Sequence, residues 1–246
     1  MREDLELVLR CLDLTWLALD ATPAQIRSLC TVAIHPGANL PHVAAVCVLE
    51  PFVPMASELV HGSGVRVACA TAGFPSGVAT TQVRRQEIEA ALAAGATEID
   101  TVLDHAAVLE GKEPEVLDGL LATREACGGA VMKVILETGA YPLLPFVRRA
   151  AEIAIEAGAD FVKTSTGVGF PGATPEAVIA MMESTSAGDR PVGIKVSGGV
   201  KSAADALGYL DLVTRALGDA WRSPERFRIG ASGLVRELVT ALGEAG

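Results

Sequence analysis

Eight short apolar runs, each followed by a longer stretch with helical spacing, constrain the fold of this 246-residue chain more than any other feature. The runs are Leu12–Leu17, Val43–Leu49, Val65–Thr71, Glu98–Leu103, Val131–Glu137, Asp160–Thr166, Val192–Ser197 and Phe227–Ser232. They are continuously apolar instead of alternating, which suits parallel strands covered on both faces. The intervening segments, such as Thr80–Ala94 and Tyr141–Ala157, place apolar residues at i, i+3 and i+4 with charges between them. Gly95 and Gly158 follow two of these segments, where left-handed C-terminal caps are expected. Thr22-Pro23 and Thr174-Pro175 read as N-caps with proline in the first helical turn. Asp100, Lys133, Lys163 and Lys195 mark strand centres 33, 30 and 32 positions apart. The units share no side-chain signature, so a solenoid is not expected. Eight such units predict an α/β fold, a single-domain (β/α)8 TIM barrel over residues 1–246. An open doubly wound sheet is the runner-up, weakened by the lack of G-x-G-x-x-G after the first strand.

Composition excludes several classes of function. Half the residues are hydrophobic, which rules out disorder. No run approaches the length of a membrane span, and MREDLELVLR lacks the apolar region of a signal peptide. The net charge of −10 argues against a general nucleic-acid partner, which needs a basic face. The five cysteines form neither C-x-x-C pairs nor a disulfide framework, and read as small core residues of a reduced compartment. His35, His42 and His61 are scattered, so no metal site is expected. The expectation is a soluble, cytoplasmic protein with no membrane partner.

The lysines carry the chemistry. There are five against fifteen arginines, and three of the five lie inside apolar runs: VMKVILET, DFVKTST and VGIKVSG. A single strand lysine usually snorkels to solvent from an edge. Three in consecutive strands resist that reading and are expected to point into the upper barrel interior, near the mouth where chemistry occurs. Crowded ammonium groups in a poorly solvated site favour the neutral form, and a neutral lysine attacks carbonyls to give a Schiff base. Asp100, in TEIDTVL, is expected at the same depth, pairing with one lysine and relaying protons for another. Glycine-rich strand exits around Gly167, Gly198-Gly199 and Gly230–Gly233 offer backbone N–H groups to an anion, although each alone also suits a tight turn.

Taken together, FVKTSTG, GIKVSGGV, the EID of the fourth strand, MKVILETG and RIGASGL resemble the deoxyribose-phosphate aldolase family. The similarity runs from Leu12-Asp13-Leu14-Thr15 to Gly230-Ala231-Ser232, nearly the whole chain. It implies a class I aldolase on a (β/α)8 barrel that reversibly cleaves 2-deoxy-D-ribose 5-phosphate in deoxyribonucleotide catabolism. By the same resemblance Lys163 forms the Schiff base, Lys195 tunes it, and Asp100 serves the proton relay. Gly167, Gly198, Gly199, Gly230 and Ser232 hold the substrate phosphate. No cofactor is implied, and homo-oligomers are compatible with the resemblance. Roles for Lys133 and Cys47 are not assigned by it. The chain departs from the pattern at Val168, where some relatives have lysine, and at Ser232-Gly233, where many have Ser-Ser. It also ends in Gly-Glu-Ala-Gly with no aromatic residue after Phe227, so weaker phosphate binding and no tail-assisted proton transfer are expected. Two other functions fit the residues: another Schiff-base barrel lyase, transaldolase-like or acting on keto acids, and a non-catalytic phosphate-binding barrel.

Overall fold

A computed structural model describes residues 1–185 and 190–244, so the last two residues of the Gly-Glu-Ala-Gly tail lie outside the described residues. Strands β1 (Leu12–Trp16), β2 (Ala45–Leu49), β3 (Arg66–Thr71), β4 (Glu98–Val102), β5 (Val131–Ile135), β6 (Phe161–Lys163), β7 (Gly193–Ser197) and β8 (Phe227–Ala231) form one closed parallel barrel in chain order. Closure is made by β1 against β8, with Leu12 opposite Ile229 and Asp13 opposite Gly230. The fold is the expected (β/α)8 barrel, and the open sheet is excluded by that last pairing.

Among the described residues ten helices wrap the strands: α1 (Arg2–Arg10), α2 (Pro23–Ile34), α3 (Val53–Val60), α4 (Thr81–Ala93), α5 (His105–Leu109), α6 (Glu113–Cys127), α7 (Leu144–Glu156), α8 (Pro175–Thr185), α9 (Ala203–Leu217) and α10 (Leu234–Glu244). The capping signals do what their chemistry dictates. Thr22 forms a full capping box with Gln25, and the Thr174 hydroxyl accepts from the Ala177 amide at 3.2 Å. Gly95 and Gly158 take φ of 105° and 87° past the ends of α4 and α7. Helix α7 starts at Leu144, three residues later than the pattern suggests, because a 3-10 turn over Thr138–Ala140 and then Pro142 intervene. The N-terminal helix α1, not signalled by strand–helix alternation, buries Leu5, Leu7, Val8 and Leu9.

A continuous apolar layer between strands and helices makes the main core. Inside the barrel the filling is different. Only a small apolar cluster of Ala45, Cys47, Ala68 and Ala70 lies there, from β2 and β3. Charged groups fill much of the rest of the interior: Asp13, Glu98, Asp100, Lys133, Lys163, Lys195 and Arg228 are all buried.

Candidate active site

Strand β6 ends at Lys163, and the residues after it are tied to the exit of β7 by further bonds: the Thr164 amide donates to the Lys195 carbonyl at 3.1 Å. The Thr164 hydroxyl donates to the Ser197 carbonyl and accepts from the Ser197 amide, both at 2.9 Å. The Ser197 hydroxyl in turn donates to the Ser165 carbonyl at 2.6 Å. These bonds lock the exit of β6 to that of β7 and hold Lys163 directly opposite Lys195 in the ladder.

Asp100 is the hub of the interior. Its Oδ2 accepts from Lys163 at 2.8 Å and from Lys195 at 2.7 Å, and its Oδ1 accepts from Lys133 at 2.7 Å. Burial opposes its charge, but the three ammonium groups outweigh burial and hold the carboxyl well below the ordinary range. Beneath it, Asp13 Oδ2 bonds Lys195 at 2.5 Å and Asp13 Oδ1 bonds Arg228 at 2.5 Å. Glu98 completes the set, with Oε2 at 2.6 Å from Lys133 and Oε1 at 3.0 Å from Arg228. The guanidinium of Arg228 also lies over the Phe161 ring, 5.6 Å from its centroid.

The three strand lysines therefore differ. Lys195 and Lys133 are both fully buried, and their carboxylate partners outweigh burial to push them above the ordinary lysine value. Burial pushes Lys163 down instead; Asp100 opposes that shift and the ammonium of Lys195 adds to it. Of the three, Lys163 alone lines the cavity at the barrel mouth. The expectation that all three point into the upper interior is thus corrected. Lys133 sits lower, opposite Phe161 in the ladder and against Glu98, because that carboxylate draws it toward the barrel floor. Cys47 faces Asp100 from β2, its Sγ 3.8 Å from Oδ2, and burial followed by the Asp100 charge keeps it a thiol.

The mouth is a cavity of about 900 Å³. Gly167, Gly198, Gly199, Gly230 and Ser232 all line it together with Lys163. Gly198 and Gly199 both take positive φ, 80° and 87°, in the turn after β7, a conformation that glycine adopts without strain. Gly198 is also fixed by packing, since a Cβ there would lie 2.9 Å from the Gly172 Cα, while a Cβ on Gly199 meets no atom within 4 Å. Helix α10 begins two residues after Ser232 and presents its N-terminus to the same space.

Several residues escaped the sequence reading. Asp13, Glu98 and Arg228 were legible only as charges within apolar runs, the signal that singled out the lysines. Lys201 and Arg236 line the cavity beside the glycines. Glu137 is buried in a left-handed conformation with φ of 54° at the end of β5, where both carboxylate oxygens lie 3.3 Å from the Thr166 amide. Burial raises its pKa, and the bonds from Thr166 work against that rise.

A lysine amine that burial pushes toward its neutral form, in a cavity also lined by glycine-rich strand exits, is chemically able to form a Schiff base with a carbonyl compound. The family model described as DeoC/LacD family aldolase matches residues 8–235. The chain belongs to that aldolase family. Solved structures agree with the assignment. A provisionally assigned deoxyribose-phosphate aldolase from Coccidioides immitis is 31% identical over 96% of this chain and 86% of its own, with a TM-score of 0.85. One from Toxoplasma gondii, likewise provisional, is 25% identical over 100% and 97%, with a TM-score of 0.88. The deoxyribose phosphate aldolase of Aeropyrum pernix, described as a unique tetramer, is 28% identical over 99% and 93%, with a TM-score of 0.77. The protein is thus a class I aldolase of the DeoC/LacD family. Among the described residues no helix is long and apolar enough to cross a membrane.

Proposed function

We propose that this aldolase reversibly cleaves 2-deoxy-D-ribose 5-phosphate to D-glyceraldehyde 3-phosphate and acetaldehyde, with Lys163 as the nucleophile. The observation that carries this reading is that Lys163 is the one strand lysine reaching the cavity, and it shares its only carboxylate oxygen with Lys195. The names of the structural neighbours support the substrate.

Neutral Lys163 attacks C1 of the open-chain sugar, and loss of water gives an iminium ion. The iminium draws the electrons of the C2–C3 bond into an enamine as the C3 hydroxyl gives up its proton through Asp100, Lys195 and solvent. That step releases glyceraldehyde 3-phosphate. Protonation of the enamine at C2 and hydrolysis then release acetaldehyde and free Lys163. The protein supplies the electron sink as its own amine.

The phosphate is held in this reading by the amides around Gly167, Gly198, Gly199, Gly230 and Ser232. Lys201 and Arg236 add positive charge, which makes an anionic substrate compatible with a chain of net charge −10. Homo-oligomeric assembly belongs to the reading, supported by the tetrameric Aeropyrum neighbour. A cytoplasmic location fits five cysteines that are all free and buried.

The test is a retro-aldol assay with deoxyribose 5-phosphate beside a panel of keto acids and longer phosphosugars, combined with borohydride trapping of acetaldehyde. The expected result is cleavage of deoxyribose 5-phosphate and a reduced adduct on Lys163. Cleavage confined to another substrate would identify a different Schiff-base lyase. Absence of any adduct would leave an anion-binding barrel.

A further inference from the structure

The seven ionisable groups that fill the barrel do not balance. Asp13, Glu98 and Asp100 supply three negative charges, while Lys133, Lys163, Lys195 and Arg228 supply four positive ones when all are ionised. One cation too many, in a region shielded from water, is costly. Arg228 cannot relieve the excess, because guanidinium does not deprotonate in proteins. The excess is relieved when one of the three lysines gives up its proton.

The contacts decide which. Lys133 touches Glu98 at 2.6 Å, Asp100 at 2.7 Å and Asp13 at 3.4 Å. Lys195 touches Asp13 and Asp100, and Arg228 touches Asp13 and Glu98, while the half-exposed Arg66 of β3 reaches Glu98 from outside the buried set at 3.7 Å. Lys163 has Asp100 Oδ2 alone, shared with Lys195. The other ionisable groups around Lys163 are the Cys47 thiol on β2 and the Glu137 carboxyl past β5, and neither bonds it. Lys163 is the amine with the weakest hold on a carboxylate.

Resting on the reading of Lys163 as the nucleophile, we propose that Arg228 and Glu98 are positioning residues: from the barrel floor they set how much carboxylate charge is left for Lys163. Neither lines the cavity at the mouth. Arg228 engages Asp13 and Glu98, which obliges Lys195 and Lys133 to lean on Asp100 and so withdraws Asp100 from Lys163. Glu98 works in the opposite sense, since it takes up part of the charge of Lys133 and Arg228.

The signs separate this role from mere support of the fold. Arg228→Met removes a positive charge, leaves three carboxylates for three lysines and favours protonated Lys163. Glu98→Gln removes a negative charge from an isosteric side chain and favours neutral Lys163. The acid limb of kcat/KM, which reports Lys163 losing its proton in the free enzyme, should move to higher pH in the first variant and to lower pH in the second. Each shift should be about one pH unit. The double variant should return toward the wild-type limb, and Arg228→Lys should keep it.

The readout is the pH dependence of kcat/KM and of borohydride trapping with acetaldehyde, on protein whose melting curve shows it folded. Opposite shifts support the proposal. Unmoved limbs, or shifts of the same sign, overturn it; should Arg228→Met not fold, Glu98→Gln decides alone by the direction of its shift. A wild-type protein that forms no adduct on Lys163 would overturn the nucleophile itself, whereas a trapped wild type with unmoved variants overturns only the roles of Arg228 and Glu98.

Discussion

Asp100 Oδ2 stands 2.8 Å from the nitrogen of Lys163, and the same oxygen is 2.7 Å from Lys195. One oxygen between two amines cannot satisfy both equally. Lys195 has Asp13 in reserve and Lys163 has no second carboxylate among the described residues, so the shared contact leaves the cavity-facing amine the easier one to deprotonate.

Lys163→Leu should lower turnover by at least about 10⁴-fold and abolish borohydride trapping. Leucine fills a buried site without stranding a charge, so the melting temperature should hold or rise. Retained labelling of an active-site lysine in this variant would show that another amine is the nucleophile.

Lys195→Leu gives Lys163 sole use of Asp100 Oδ2 and removes a neighbouring positive charge. Both changes favour the ammonium form. Because the native Lys163 value is lowered, its activity should fall as pH drops through that lowered value, and in this variant the same fall should begin at higher pH. At neutral pH kcat should drop on the order of 10²-fold or more. A pH–rate profile with an unmoved acid limb would sink the assignment.

Asp100→Asn should harm stability as well as rate. It leaves Lys133 and Lys195 buried with fewer carboxylates than the native arrangement gives them, a loss of about 3–5 kcal/mol for breaking a buried pair. Denaturant melts alongside Lys163→Leu separate the two effects, since the lysine variant should lose activity without that loss of stability.

Gly199→Ala and Lys201→Ala probe the phosphate cradle. The alanine Cβ at position 199 meets no protein atom within 4 Å but requires a φ of 87°, costing about 1 kcal/mol. It should raise KM for deoxyribose 5-phosphate much more than for unphosphorylated deoxyribose. Lys201→Ala should act in the same direction, by about tenfold, and reduce the sensitivity of KM to salt. Equal losses on both sugars would identify a simple turn in place of an anion site.

The barrel, its strand order and its helix caps were legible in the sequence because each rests on local chemistry: apolar runs, Thr-Pro starts and Gly stops. Lys163, Lys195 and Asp100 were legible because charges stand out inside apolar strands. By that standard Asp13, Glu98 and Arg228 were equally visible, but their meaning depends on register around a closed ring. The pairing that brings Asp13 within 2.5 Å of Lys195 spans 182 positions of chain, and no local pattern encodes it. The separate depths of Lys133 and Lys163 were hidden for the same reason, since strand tilt decides which residues of neighbouring strands share a level. Strand β6 is shorter than its apolar run, and beyond Lys163 the chain is held to β7 by the Thr164 hydroxyl as well as by its amide.

The seam between β1 and β8 has a consequence for the growing polypeptide. When six strands have been made, Lys163 exists, but Lys195 and Arg228 do not. The amine is then water-exposed, ordinary and protonated. Lys195 and Arg228 arrive only with the last two strands, and both are tied to Asp13, on the first. The easier deprotonation of Lys163 is therefore a property of the closed ring, absent from any fragment that lacks its last two strands.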